Sequence, residues 1–326
     1  MLRNSVLFLA SVIVTLILVE GTLRVLDIYP PLAYPPEPYW TGHFGSHPEY
    51  GYALHPGRSS PFDYPPAEPR TTTLTSNSDG FRQNRELEGP DDRPRALVLG
   101  DSYTFGVGVE EDERFTDLVE AELPWLRVDN LGMPGWGADL MLLAAESVVE
   151  RTNPDYVVIA LYFDDFRRVR PRYAGLGFAV PRFRLAGDTL ELIEYPRPRF
   201  YERLHLYEAV VRALYGADRM LSGPSEEEWV LNERIFDRLA ALGDKHRFET
   251  VLVYLAGPRA GVANDRRRSR VRQYADRRGL SMLDLTSAIH DDSAGAFLPQ
   301  NAHYSPKGHR QIAGPLTAFL DSLATP

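Results

Sequence analysis

Five short apolar runs, each followed by a stretch with helical spacing, constrain this 326-residue chain more than any other feature. They are RALVLG (95–100), LRVDNLG (126–132), YVVIALYF (156–163), TVLVYLA (250–256) and SMLDL (281–285). The intervening stretches 115–123, 138–151, 226–242 and 264–278, and the final stretch 305–323, carry apolar residues at helical intervals. Strands apolar on both faces and alternating with helices predict a parallel sheet covered on two sides. The fold class is therefore α/β: an open, doubly wound parallel sheet of about five strands, whose functional groups belong at the carboxyl ends of the strands.

Bulk properties narrow the function. The chain is 44% hydrophobic and 25% charged, an ordinary globular balance. A net charge of −9 argues against wholesale nucleic-acid binding. Cysteine is absent, which excludes disulfides, thiolate catalysis and a cysteine zinc site.

The N-terminus carries Arg3 and then SVLFLASVIVTLILV (5–19), an apolar run that reaches bilayer length when it is extended to Leu26. Glu20 and Arg24 stand four apart, on one helix face. The following VEGTLRVLD lacks a small-residue cleavage pattern. Residues 1–28 thus read as an uncleaved signal anchor or transmembrane helix; a cleaved signal or a buried core helix are the alternatives. Positive charge before the run, with Glu20 and Asp27 after it, predicts a single-pass protein of the cell membrane whose bulk is exported to the periplasmic or extracellular side. Residues 29–74 are proline-rich and read as a linker or strap. The segment TSNSDGFR (75–82) reads as an ordered turn that opens the main domain, 75–326. An insertion at about 166–225 interrupts the strand–helix rhythm. It contains a hairpin around Ala186-Gly187-Asp188 and a helical stretch over 201–215, and reads as a lid, a partner surface or loop decoration.

Gly100 ends the first run, and Asp101, Ser102 and Thr104 follow on the loop at the sheet's carboxyl edge. A serine there presents its Oγ and its own N–H to one cleft, which suits a nucleophile that also donates to an oxyanion. On its own, Gly-Asp-Ser is more often the pattern of a capping serine.

Three further segments, taken in order with this one, resemble the blocks of the SGNH/GDSL hydrolase superfamily. GDSYTFG (100–106) resembles the nucleophile block, NLGMPG (130–135) the glycine block, LYFDDF (161–166) the third block and HYSPKGH (303–309) the final histidine block. The resemblance spans about 75–323 and implies the three-layer fold of that superfamily. It implies Ser102 as nucleophile, His303 as base, and Gly132 with Asp164 at the oxyanion position. Two departures matter. The family's third-block asparagine stands as Asp164, or as Asp165 after a one-residue slip, and an ionised carboxylate there opposes a developing oxyanion. The family's aspartate before the histidine is replaced by Gln300 and Asn301; an amide carbonyl can orient the imidazole but cannot stabilise imidazolium by charge.

Other candidates are weaker. His43 and His47, in HFGSH, have no carboxylates around them, and no metal site is read. His309 reads as a helix-surface residue. RRVRPR (167–172) reads as a solvated charge run, with an anion-binding surface as the alternative. The arginines of 266–278 read as the wet side of an amphipathic helix. No cofactor motif is found; GVGVEEDE lacks the lysine and helix of a phosphate cradle. The expected function is a membrane-anchored serine esterase acting on an O-acyl ester, O-acetyl included, on an envelope or secreted glycan. An O-acyltransferase working through the same serine and histidine is one alternative. A catalytically impaired binding or assembly protein of the same fold is the other.

Overall fold

The computed structural model describes residues 2–32, 40–63, 71–169, 175–195, 198–221, 224–258, 266–299 and 302–324. In chain order the elements are helix α1 (Leu2–Val25), short strands β1 (Trp40–Thr41), β2 (Phe44–His47), β3 (Gly51–Leu54), β4 (Ser59–Phe62) and β5 (Thr72–Thr75), then β6 (Arg95–Gly100). There follow α2 (Ser102–Phe105), α3 (Phe115–Glu122), β7 (Arg127–Gly132), α4 (Ala138–Thr152), β8 (Tyr156–Leu161) and α5 (Asp165–Arg168). The insertion contributes β9 (Arg182–Ala186), β10 (Thr189–Ile193) and α6 (His205–Leu221). The chain ends with α7 (Glu226–His246), β11 (Glu249–Tyr254), α8 (Arg266–Arg278), β12 (Ser281–Asp284), α9 (Thr286–His290) and α10 (Pro306–Ala324).

The main sheet has five strands in the order β12-β11-β8-β6-β7, every pair parallel. Alternation along each strand sorts side chains into two cores, because successive Cβ atoms leave opposite faces. Leu97, Leu99, Val157, Ile159 and Leu252 join one core with side chains from α4, α7 and α8. Ala96, Val98, Val158, Val251 and Val253 join the other with side chains from α3, α9 and α10. The chain leaves β6 toward β7 over one face and returns to β8 over the other, so the carboxyl edge of β6 is the topological switch point where a crevice opens. Ser102 lies directly beyond it.

The proline-rich region is a strap on this body rather than a free spacer. Tyr50, Tyr52, Leu54, Phe62 and Leu74 are buried in the α4-side core, and the Tyr52 hydroxyl donates to Pro134 O at 2.7 Å. In the turn before the domain, Asn77 Oδ1 accepts the N–H groups of Asp79 and Phe81.

His309 on α10 is not on the surface but 1% exposed, and its Nδ1 accepts the Phe115 N–H at 3.1 Å. The sequence places a histidine one turn into a helix; tertiary packing of α10 on α3 turns that face inward. Burial, with Arg114 and Arg82 nearby, depresses His309 to about 3. An unfolded histidine titrates near 6.5, so between these limits the unfolded chain binds the extra proton. Stability from this site is full above about pH 6.5 and is lost as pH falls toward 3. Denaturant unfolding at pH 4.5 is expected to show about 2–3 kcal/mol less stability from His309 alone than at pH 7. His309→Gln, which can accept the same N–H without titrating, should flatten that dependence; a parent equally stable at both pH values would contradict this account.

Candidate active site

The site begins with two glycines. Gly100 and Gly132 end β6 and β7 and are paired partners across the sheet. A Cβ on Gly100 would run into the Thr104 side chain, and one on Gly132 into the Thr104–Phe105 backbone. Only bare Cα atoms let α2 lie directly on the strand ends. Asp101 caps α2, its Oδ1 accepting the Tyr103 N–H at 2.9 Å. Behind α2, the fully buried Arg82 of the NSDGFR turn donates to the carbonyls of Phe105, Gly106, Val109 and Thr73. Those four bonds fix the turn where α2 ends.

Ser102 is thereby held at the switch point, 8% exposed. His303 reaches it from the other end of the sequence: Nε2 lies 2.8 Å from Ser102 Oγ. The histidine loop is pinned on three sides. Leu298 N–H donates to His303 O at 2.7 Å, Ser305 N–H donates to Ala296 O at 2.9 Å, and the Tyr103 hydroxyl donates to Ala302 O at 2.7 Å. The residue next to the serine thus holds the residue next to the histidine. Tyr103 also packs against Tyr162, Tyr304 and the His303 ring, giving the dyad an aromatic wall. Burial in this wall depresses His303 to about 4; Asp101 pulls the other way and Arg168 adds to the drop. The imidazole is neutral at physiological pH, the state a general base needs.

The Gly132 N–H, expected to donate to an oxyanion, instead donates to Asn130 Oδ1 at 2.9 Å. Asn130 continues through Nδ2 to Thr104 O and Thr116 Oγ1, so the pair serves the seating of α2. Asp164 is 3% exposed and sits just beyond β8 as the residue before α5. Asp165, the slipped alternative, is fully buried, and its Oδ2 accepts the Tyr162 N–H at 2.7 Å. Gln300 and Asn301 lie outside the described residues. His43 contacts Ser60 Oγ at 3.1 Å, and His47 stacks on Tyr50.

Sequence reasoning missed Arg168. In RRVRPR, Arg167 is 1% exposed and the Arg168 side chain 10%, so these two are not a solvated face; residues 170–172 lie outside the described residues. Arg168 Nη1 lies 2.8 Å from Asp101 Oδ2, 2.6 Å from Asp165 Oδ1 and 3.0 Å from Trp136 O. One guanidinium therefore ties together the segments that follow β6, β7 and β8. Burial, and the neighbouring Asp101, push the Asp165 carboxyl well above its usual range, against the pull of Arg168. A charge run in a sequence carries no mark of the buried carboxylates it will meet, which is why spacing alone gives a solvated face here.

The family model described as GDSL-like Lipase/Acylhydrolase family matches residues 98–311, an interval that contains both Ser102 and His303. The chain belongs to this family and is an ester-hydrolysing serine hydrolase. No curated protein matches the chain. Among solved structures, it resembles a member of the lipolytic protein G-D-S-L family from Veillonella parvula, at 12% identity over 71% of this chain and 99% of that one, with a TM-score of 0.44. It also resembles a psychrotrophic esterase from Pseudoalteromonas sp., at 15% identity over 71% and 99% of the two chains, TM-score 0.45. A catalytic mutant of an acetylxylan esterase from Geobacillus stearothermophilus matches at 15% identity over 70% and 94%, TM-score 0.44.

Removing Arg168 leaves two buried carboxylates facing each other without their cation. Arg168→Met is expected to destabilise the protein by about 3–5 kcal/mol at pH 7. The gap between parent and variant should narrow on acidification, as Asp165, whose carboxyl is already pushed up by burial, takes a proton. Denaturant titrations of both proteins at pH 7 and pH 5 check this; a difference under about 1 kcal/mol at pH 7 would show that the cluster is not coupled.

Proposed function

We propose that Ser102 is the nucleophile and His303 the general base of this hydrolase. The observation that carries the reading is the 2.8 Å contact between His303 Nε2 and Ser102 Oγ, made by residues 201 positions apart. His303 Nε2 takes the hydroxyl proton as Oγ attacks the ester carbonyl. The Ser102 N–H stands beside the oxyanion that forms. Collapse expels the alcohol, which leaves with the proton returned by His303. Water, deprotonated by the same imidazole, then frees the acid and restores the serine.

The finer reading is a membrane-held enzyme acting on an O-acyl ester of an envelope or secreted glycan. The membrane part of this reading is supported by α1, 24 residues long and free of acids in its first turn, in which the most apolar window of the candidate span Arg3–Val25 has no residue buried inside the rest of the protein. At 1.5 Å per residue it is about 36 Å long, enough for a hydrocarbon core of about 30 Å. In this reading α1 is the anchor and the α/β body lies on the exported side. A second reading, a binding protein that kept the fold, is favoured by Asp164, a buried carboxylate where the family resemblance calls for an amide.

Hydrolysis of short acyl esters by the full chain in detergent separates the two. The esterase reading predicts turnover that falls at least about 1,000-fold in Ser102→Ala and nearly as far in His303→Ala, because the pair acts as a unit. It also predicts a kcat/KM that is level through neutral pH and declines as pH drops through about 4, where His303 gains its proton. Parent-like rates in both variants would refute it, and an inert parent would favour the binding reading.

A further inference from the structure

Helix α6 is latched to α1 at a fixed depth. The Glu20 carboxylate, five residues before the end of α1, accepts the N–H groups of His205 (3.3 Å) and Leu206 (2.9 Å), the first two residues of α6. Arg24 pairs with Glu20 at 2.5 Å and donates to Arg203 O at 3.1 Å. His205 Nδ1 lies 3.0 Å from Ile28 O, and the Arg212 guanidinium sits over the Tyr29 ring. The start of α6 is therefore tied to the last turns of α1 and to the residues just past it.

The side of α6 away from this latch is apolar and open. Val210 is 49% exposed and Leu214, one turn on, is 66% exposed; Phe200, just ahead of the helix, is 81% exposed. Leu206 extends the stripe at the same four-residue interval. The aromatic rings of Tyr201 and Tyr207 pack together beside it, and the exposed Arg199 and Arg203 stand at its start. Apolar stripe, tyrosines and arginines together are the composition of a helix that lies in a membrane interface.

We propose that α6 and Phe200 form a collar in the headgroup–acyl boundary of the same bilayer that α1 spans. The proposal rests on the reading of α1 as the anchor. Depth selects the occupant. With a rise of 1.5 Å per residue, Glu20 stands about 7 Å short of the end of α1. Interfacial helices bury their apolar face by about 5–10 Å. A helix whose first N–H groups are bonded to Glu20 starts within that layer, so Phe200, Val210 and Leu214 meet acyl chains while the arginines meet lipid phosphates. The collar makes a second membrane attachment besides the span. It holds the α/β body at one height and tilt, where a single span with a flexible linker would let it swing.

The chain contains no cysteine, so single cysteines carry a spin label without background. Full chain bearing Val210→Cys, Leu214→Cys, Ile13→Cys or Asp188→Cys is labelled and placed in nanodiscs of mixed zwitterionic and anionic phospholipid. Collision with oxygen, which concentrates in lipid, is compared with collision with a water-soluble nickel chelate. The expected pattern is oxygen-dominated at Ile13, in the middle of α1, oxygen-favoured at Val210 and Leu214, and nickel-dominated at Asp188, on the tip of the β9–β10 hairpin. Nickel dominance at Val210 and Leu214 with oxygen dominance at Ile13 overturns the collar and leaves the anchor standing. Nickel dominance at Ile13 overturns the anchor itself. Shielding of Val210 and Leu214 from both reagents marks a protein contact and also overturns the collar.

Discussion

The site depends on the seating of α2 on bare strand ends. Gly100 and Gly132 stand side by side at the carboxyl edge of the sheet, and the Thr104–Phe105 backbone occupies the space their side chains would fill. Any Cβ at either position would lift α2 and carry Ser102 away from His303. Asn130 reinforces the seat from within β7, accepting from Gly132 N–H and donating to Thr104 O. The contact between Ser102 and His303, residues distant in sequence, is thus secured by two positions that have no side chain.

Charge secures the loops that packing leaves loose. Arg82 gathers the carbonyls around the end of α2, and Arg168 gathers the segments beyond β6, β7 and β8. Buried arginines of this kind carry little net stabilisation against the cost of desolvation, but losing one partner is expensive, so they enforce a single arrangement. The same low-dielectric surroundings keep His303 neutral. Aromatic burial outweighs the attraction of Asp101, so the imidazole accepts a proton only below the physiological range.

The architecture was legible because it is written in period. Continuous apolar runs of strand length alternating with helical spacing specify the parallel sheet, and each expected strand appears within two residues of its expected ends. The hairpin around Gly187 was equally legible from its turn residues. Ser102 and His303 stand out by their place in four ordered blocks, and the fold sets them 2.8 Å apart. What the sequence hid is tertiary. His309 looks like any helix histidine until α3 covers it, and Arg168 looks like one member of a charge run until two carboxylates close on it. Each of these depends on which groups arrive from elsewhere in the chain.

The central claim is that Ser102 is a nucleophile activated by a neutral His303. It is tested most directly by covalent labelling with a fluorophosphonate, followed by peptide mapping and by the labelling rate as a function of pH. The account predicts one label per chain, on Ser102, forming at a rate that declines only as pH falls through about 4 and that collapses in His303→Ala. A folded protein that resists the reagent, or that labels at Ser102 equally fast without His303, would contradict it.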